Sequence, residues 1–310
     1  MTDTNHRPGT HTAHDKYLPA STLQLNLITM NQPVADRTRT CRLLPAWVIA
    51  LLLAFVSGAA AADAPPLILA IQPVQREDIT RTIYQPLADY IGKVTGRKCV
   101  LLTHNSFFAY WVTIHQGKGY DLALDEAHFT DYRLQKLGFT VLVKAPDMVT
   151  YSLVMLRKKV VANPAQLVGR RIATLGIPSV GAARLNAIFP NPSRQPITLE
   201  VDSLEQGMQL LLDGKVQAAI LPTPFVNQQK AQGADVRAVL LTEPIPNIAL
   251  SAGPGLPAAE REVLRKALLD ADKNDAGRKM LRALGMEKFD PATAAIYAGQ
   301  SRILAEYWGY

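Results

Sequence analysis

The sequence predicts an α/β protein of two lobes, each a mostly parallel sheet flanked by helices. Three observations carry this. Short apolar runs alternate with amphipathic helical stretches, the pattern of parallel strand–helix units. The alternation falls into two sets of about 90 residues each. With 48% hydrophobic and 19% charged residues in 310, the chain is too apolar for disorder and long enough for one or two domains.

The first sixty residues read as an export segment. Residues 1–29 show no periodicity, and Met30 is the expected start. Arg37, Arg39 and Arg42 form a positive flank, Leu43 to Val56 an apolar run broken only by Pro45, and Ser57 to Ala62 a small-residue stretch. This is the pattern of a secretory signal peptide, with cleavage expected after Ala62. An uncleaved anchor would need roughly 20 apolar residues, reached here only by counting Pro, Ser, Gly and alanines. A lipid anchor would need a Cys after the run, and Cys41 lies before it. The expected mature chain of 248 residues keeps one thiol, Cys99, and so has no internal disulfide.

Leu67–Ile71 is expected as a buried strand. Residues 78–95 form an expected helix with Ile79, Ile83, Leu87, Ile91 and Val94 on one stripe, stopped by Gly96. A strand at 99–103 and a helix capped by Asn105 or Ser106 follow, then a strand at 120–124, a helix at 127–137 and a strand at 140–143. The second set has expected strands at 151–156, 171–174, 198–201, 218–221 and 236–240. Its helices are expected at 180–189 and 203–213, with a turn of helix at Asn163-Pro164. The last sixty residues read as mostly helical, at 257–272, 276–284 and from 291 onward.

The net charge of +7 falls to +5 in the mature chain, 28 basic against 23 acidic residues. These charges are scattered, which argues against nucleic acid as a partner. No G-x-S-x-G, G-x-x-x-x-G-K or H-E-x-x-H motif occurs, and Cys99 lies inside an apolar strand. An enzyme is therefore the weaker reading, and no cofactor or metal is expected.

Three stretches share one order and spacing. They are Leu67–Gly92 with "PLADYIG", Gly117–Val141 with "YDLAL", and Tyr151–Phe189 with "GIPSVG", the last followed by SLEQGMQLLLDGKVQAAILPTPFV and TEPIPN. Together they resemble the phosphate/phosphite/phosphonate periplasmic binding family of ABC transporters. The resemblance implies a type II periplasmic-binding-protein fold, in which two lobes joined by two hinge strands close on a ligand. The crossings are expected near 149–152 and 243–248. Lobe one would be 63–149 plus 246–310, and lobe two 150–245. The implied partners are a small phosphate- or phosphonate-like oxyanion, or another polar ligand, and an inner-membrane ABC permease or sensor kinase. The protein is expected to be a periplasmic monomer.

Loops at strand carboxyl ends, beside helix N-termini, are the natural ligand sites in such sheets. The resemblance puts Phe108 where relatives often carry an aromatic hydroxyl. Asp125, Glu126 and His128 follow the strand of "YDLAL". Ser179, Val180 and Gly181 match the anion loop, Thr223 lies between two prolines on the cleft wall, and Tyr151 and Asn247 lie on the hinge. Each has a plainer role. Asp125 and Glu126 suit a helix N-cap and first turn, and Ser179 can cap a helix whether or not it touches ligand. His128 can be a buried structural histidine, or a polar or metal contact with Asp125, and Tyr110 and Trp111 suit the core. Leu204, Pro224 and Ile248 replace polar or acidic residues of relatives, which argues against 2-aminoethylphosphonate as the ligand. A ligand-free interaction protein is the remaining alternative.

Overall fold

Two sheets account for most strands of the computed structural model, which describes residues 64–305, apart from 160 and 162, and residue 307. The expected signal peptide and start site lie outside the described residues.

The first sheet has strands β1 (Leu67–Ile71), β2 (Cys99–Leu102), β3 (Leu122–Asp125), β4 (Thr140–Lys144), β12 (Ala249–Ala252) and β13 (Asp290–Pro291). They are ordered β13-β4-β12-β3-β1-β2. β1 runs parallel to β2 and β3, with Leu69 opposite Leu101 and Leu122, while β12 is antiparallel to both β3 and β4. Helix α1 (Glu77–Thr95) covers this sheet with Leu87, Ala88, Tyr90 and Ile91. Gly96 ends it at φ 67, a left-handed conformation that costs glycine little. Ile79, expected on the buried stripe, is exposed, because the first turn projects past the sheet.

Helix α2 (Phe107–Ile114) is capped by the Ser106 hydroxyl, which accepts the Ala109 N–H at 3.1 Å. Helix α3 (Ala127–Lys136) continues directly from β3.

The second sheet is ordered β10-β6-β9-β7-β8. Its strands are β6 (Tyr151–Leu156), β7 (Arg171–Leu175), β8 (Ile197–Val201), β9 (Ala218–Pro222) and β10 (Val236–Leu241). β7, β8 and β9 are parallel, while β6 is antiparallel to β9 and β10. Helices α4 (Val180–Ile188), α5 (Leu204–Leu212) and α6 (Thr223–Ala231) belong to this set. Between the sheets, β5 (Met148–Val149) pairs antiparallel with β11 (Ile245–Pro246), where the hinge crossings were expected.

Two elements differ from expectation. α6 stands where the sequence reads as a proline-bound wall. Proline fits the first turn of a helix because its missing N–H has no partner there. β12 stands where the sequence reading places no element. Its ALSA sequence is fully buried, but only Leu250 is a large apolar residue, too little to announce a strand.

The C-terminal helices α7 (Ala258–Leu269) and α8 (Asp275–Ala283) dock on α1 through the Tyr90 hydroxyl, which donates to the Ala267 carbonyl at 2.8 Å. Gly277 permits the turn between them, since a Cβ there would meet the Ala271 carbonyl at 2.1 Å. Past β13 the described residues form helix α9 (Ala294–Tyr297) and a 3-10 turn, where a longer helix was expected. The Ser301 N–H ties that turn to Asp131 of α3 at 2.8 Å.

The lobes are closed on each other. One apolar cluster contains Phe107, Phe129 and Tyr132 from the first lobe and Leu175, Leu204 and Phe225 from the second. The Leu204 N–H donates to the Val74 carbonyl across the gap at 3.2 Å. Among the described residues, no helix is long and apolar enough to cross a membrane.

Candidate ligand-binding site

The β3–α3 junction builds the first wall of the cleft. Asp125, the last residue of β3, is fully buried against Arg133 of α3. Two guanidinium N–H groups reach its oxygens at 2.5 Å each. The Tyr110 hydroxyl adds a bond at 2.6 Å and the Thr130 hydroxyl one at 3.1 Å. Arg133 also donates to the Ser251 hydroxyl of β12 at 3.1 Å. Burial works against the arginine's charge, but the Asp125 carboxylate outweighs it and holds Arg133 protonated. This corrects the expected N-cap role of Asp125, since Glu126 takes that position. Its carboxylate is occupied by an internal ion pair that fixes the wall behind the site.

Glu126, one residue on, faces the other way. Its backbone N–H donates to the Gln72 side-chain carbonyl at 2.8 Å, which holds the junction against the end of β1. As N-cap residue of α3 it makes no side-chain capping bond. Its carboxylate instead crosses the cleft and accepts a hydrogen bond from the Tyr151 hydroxyl at the start of β6. Burial raises its pKa to about 7, against the Tyr151 hydroxyl and the Val180 N–H, which favour the ionised form.

His128 crosses the same gap. Its Nε2 lies 2.9 Å from the Pro178 carbonyl in the loop before α4. A carbonyl only accepts, so Nε2 carries the proton and Nδ1 is a bare acceptor. Burial lowers the pKa of the ring to about 3 and keeps it neutral. Nδ1 faces Glu126 Oε2 at 3.9 Å, and both atoms are buried without a hydrogen-bond partner.

The opposite wall is the N-terminus of α4. The Ser179 hydroxyl accepts the Ala182 N–H at 3.2 Å and donates to the Leu175 carbonyl at 2.9 Å. It is the helix cap, which frees the first-turn N–H of Val180 for an anion. Gly181 lets this turn press inward: a Cβ there would meet the Thr174 hydroxyl at 3.0 Å and the Tyr151 ring at 3.6 Å.

Of the expected site residues, Glu126, His128, Tyr151, Ser179, Val180 and Gly181 therefore converge. Besides Asp125, three others do not join them. Phe108 is 55% exposed, while Phe107 is the ring that enters the core. The Thr223 hydroxyl is taken by Thr150 at 2.7 Å and Ser152 at 2.8 Å, inside the second lobe. Asn247 braces the hinge segment. Its amide donates to the Pro146 carbonyl at 2.8 Å and its side-chain oxygen accepts the Ile248 N–H at 2.9 Å.

Sequence reasoning missed Gln72, Arg133 and the Pro178 carbonyl.

A cavity of about 230 Å³ abuts this cluster. His128, Val180, Arg184, Ile245, Gln300 and Ile303 are among its walls. A larger groove of about 620 Å³ is lined by Gln75, Arg76, Glu77, Asp78, Arg81, Asn105 and Asp202 and contains none of the converging residues. Its pairs Arg76–Asp78 and Arg81–Glu77 are exposed and solvent-screened. The buried polar cluster, and not the larger groove, is the candidate site. Among the described residues, no group of three His, Cys, Asp or Glu side chains is placed to hold a metal ion.

The fold is shared with solved binding proteins. PhnD1 from Prochlorococcus marinus, in complex with methylphosphonate, is similar at TM-score 0.67 and 14% identity over 77% of this chain and 97% of its own. A Xanthomonas citri protein bound to ATP is similar at TM-score 0.63 and 16% identity over 77% and 98% of the two chains. A binding component of a Pseudomonas aeruginosa ABC phosphonate transporter is similar at TM-score 0.64 and 13% identity over 76% and 84%. No curated protein matches the sequence. Residues 69–297 match the family described as ABC transporter, phosphonate, periplasmic substrate-binding protein, and the chain belongs to that family.

Proposed function

We propose that this periplasmic substrate-binding protein captures a small phosphonate- or phosphate-like oxyanion at the N-terminus of α4. The Val180 N–H and the Tyr151 hydroxyl supply the donors, and Ser179 holds the helix end in place. The observation that carries this reading is that a carboxyl group of comparable size, that of Glu126, already lies against those groups. A helix N-terminus joined by a hydroxyl donor favours negative charge without a metal or a lysine. The methylphosphonate and ATP of the structural neighbours carry phosphorus oxyanions, in keeping with that chemistry.

The protein delivers this ligand to an inner-membrane ABC permease, or presents it to a membrane sensor, and acts as a monomer. It reaches the periplasm through the signal peptide, cleaved after Ala62. Its role is binding, not catalysis. The one thiol of the mature chain, Cys99, is buried and pushed up to about 12, chiefly by desolvation, which leaves no thiolate nucleophile. Expected site residues that do not converge, Phe108 and Thr223, form the rim and wall of the cleft.

The test is a thermal-shift screen of the exported protein against phosphate, phosphite, methylphosphonate and sulfate. A ligand at one hundred times its dissociation constant should stabilise by about 2.7 kcal/mol. Tyr151→Phe and Ser179→Ala should both weaken the response. Absence of a shift with every oxyanion would sink the proposal.

A further inference from the structure

We infer that Glu126 is a specificity-determining latch: its carboxylate is a tethered occupant of the oxyanion seat, it holds the lobes shut without ligand, and an incoming oxyanion binds only by displacing it. The exchange half of this inference rests on the oxyanion reading above. The closure half stands on geometry alone.

The side chain comes from the first lobe and its donor, Tyr151, begins the first strand of the second sheet. Glu126 is only 6% exposed. Buried carboxylates ordinarily pair with a cation. Here Asp125 takes the nearby Arg133, so no arginine or lysine bonds Glu126 among the described residues. Its donors are the ones a bound oxyanion would use. The fit is incomplete, since Oε2 faces His128 Nδ1 at 3.9 Å with neither atom satisfied. Two acceptors repel when both are bare. A protonated Glu126, or an amide in its place, satisfies both by donating toward Nδ1.

The latch is therefore pH-dependent. The groups facing Glu126 are Asp125 and His128 from its own segment, Tyr151 from β6, and Arg184 from α4, which acts on Tyr151. Asp125 is neutralised by Arg133, and His128 stays neutral. Glu126 titrates at about 7 when seated, against 4.5 for the free side chain. The seat thus prefers the protonated form. The latch is strongest below about pH 4.5 and loosens as pH rises through about 7.

The experiment measures methylphosphonate and phosphate binding by calorimetry, and the ligand-free radius of gyration by X-ray scattering. Both use the exported protein. Glu126→Ala removes the latch. It should bind about tenfold or more tightly than wild type, because an intramolecular competitor is gone. Its ligand-free form should be expanded. Glu126→Gln keeps the latch through its amide. It should stay compact, bind no more tightly than wild type, and lose the pH dependence of the ligand-free radius between about pH 5 and pH 8.

An expanded Glu126→Ala that binds neither anion supports the latch and removes the oxyanion reading. A Glu126→Ala with wild-type radius and wild-type affinity overturns the latch and leaves the oxyanion reading standing. If Glu126→Ala fails to fold, Glu126→Gln decides: tighter binding than wild type at about pH 8 overturns the inference.

Discussion

Removing Arg133 should unmask how much the protein depends on the ion pair behind its cleft. Asp125 and Arg133 are both fully buried. The carboxylate receives two guanidinium bonds at 2.5 Å, plus the hydroxyls of Tyr110 and Thr130. Arg133→Met keeps the bulk of the stem and deletes the counter-charge. Asp125 then retains two neutral donors for a buried carboxylate. Breaking such a pair from one side costs about 3–5 kcal/mol. For a domain of this size that lowers the melting temperature by roughly 10 °C. Replacing both partners should be less damaging than replacing one. An asparagine at 125 still accepts from Tyr110 and Thr130, so Arg133→Met with Asp125→Asn should recover most of the loss. Urea unfolding of the two single variants and the double variant completes the cycle. A loss below about 1 kcal/mol in Arg133→Met would refute the reasoning, as would a double variant no more stable than that single one.

Other expectations concern the cleft and its export. His128 has a pKa of about 3 folded against 6.5 unfolded, so its contribution to stability is present above about pH 6.5 and lost as pH falls toward 3. His128→Asn should flatten the acid limb of a stability–pH curve, and an unchanged limb would mean the ring is not held neutral. Glu126 acts in the opposite sense, with stability present below about 4.5 and lost as pH rises through about 7; Glu126→Gln should remove that loss in urea melts. Gly181→Ala should cost about 1–2 kcal/mol in unfolding measurements, because its Cβ must displace the Thr174 hydroxyl at 3.0 Å. N-terminal sequencing of the exported protein should begin at Asp63; a terminus before the apolar run would show that the segment is retained as an anchor.

The strands that could be read in the sequence are those with continuous apolar runs. Leu67–Ile71 and Tyr151–Leu156 have the expected bounds, because burial on both faces requires apolar residues throughout. β12 could not be read, because its four residues, three of them small, take their strand identity from neighbours on both sides, β3 and β4. α6 was hidden by prolines that fit a helix start as well as a loop. In the site, the loop positions of Glu126, His128, Tyr151 and Ser179 follow from strand ends and caps. What these groups bond to does not. Tyr151 lies 25 residues from Glu126, and the Pro178 carbonyl 50 residues from His128, and both contacts exist only when the lobes close. Asp125 looked like a ligand contact because its partner Arg133, in the last turn of α3, reads locally as a solvated charge.

The charges inside the closed cleft limit what can enter it. Asp125 and Arg133 cancel, and His128 is neutral. Glu126 is left as the group whose charge is unbalanced. The donors at the start of α4 serve one anion, and a second negative charge seated beside Glu126 would be repelled at low dielectric. An oxyanion and an ionised Glu126 therefore exclude each other, and binding proceeds by exchange. A ligand bearing an ammonium group would behave in the reverse way. It would pair with Glu126 in place and supply the donor that Oε2 and His128 Nδ1 both lack. Glu126→Ala consequently has opposite signs for the two chemistries. It strengthens binding of a bare oxyanion and weakens binding of an amine by about 1.5–3 kcal/mol, the worth of a charge-assisted hydrogen bond. A calorimetric comparison of methylphosphonate with an aminoalkyl phosphonate, on wild type and Glu126→Ala, separates them by sign alone. Weaker methylphosphonate binding in Glu126→Ala would show that Glu126 supports the ligand and does not take its place.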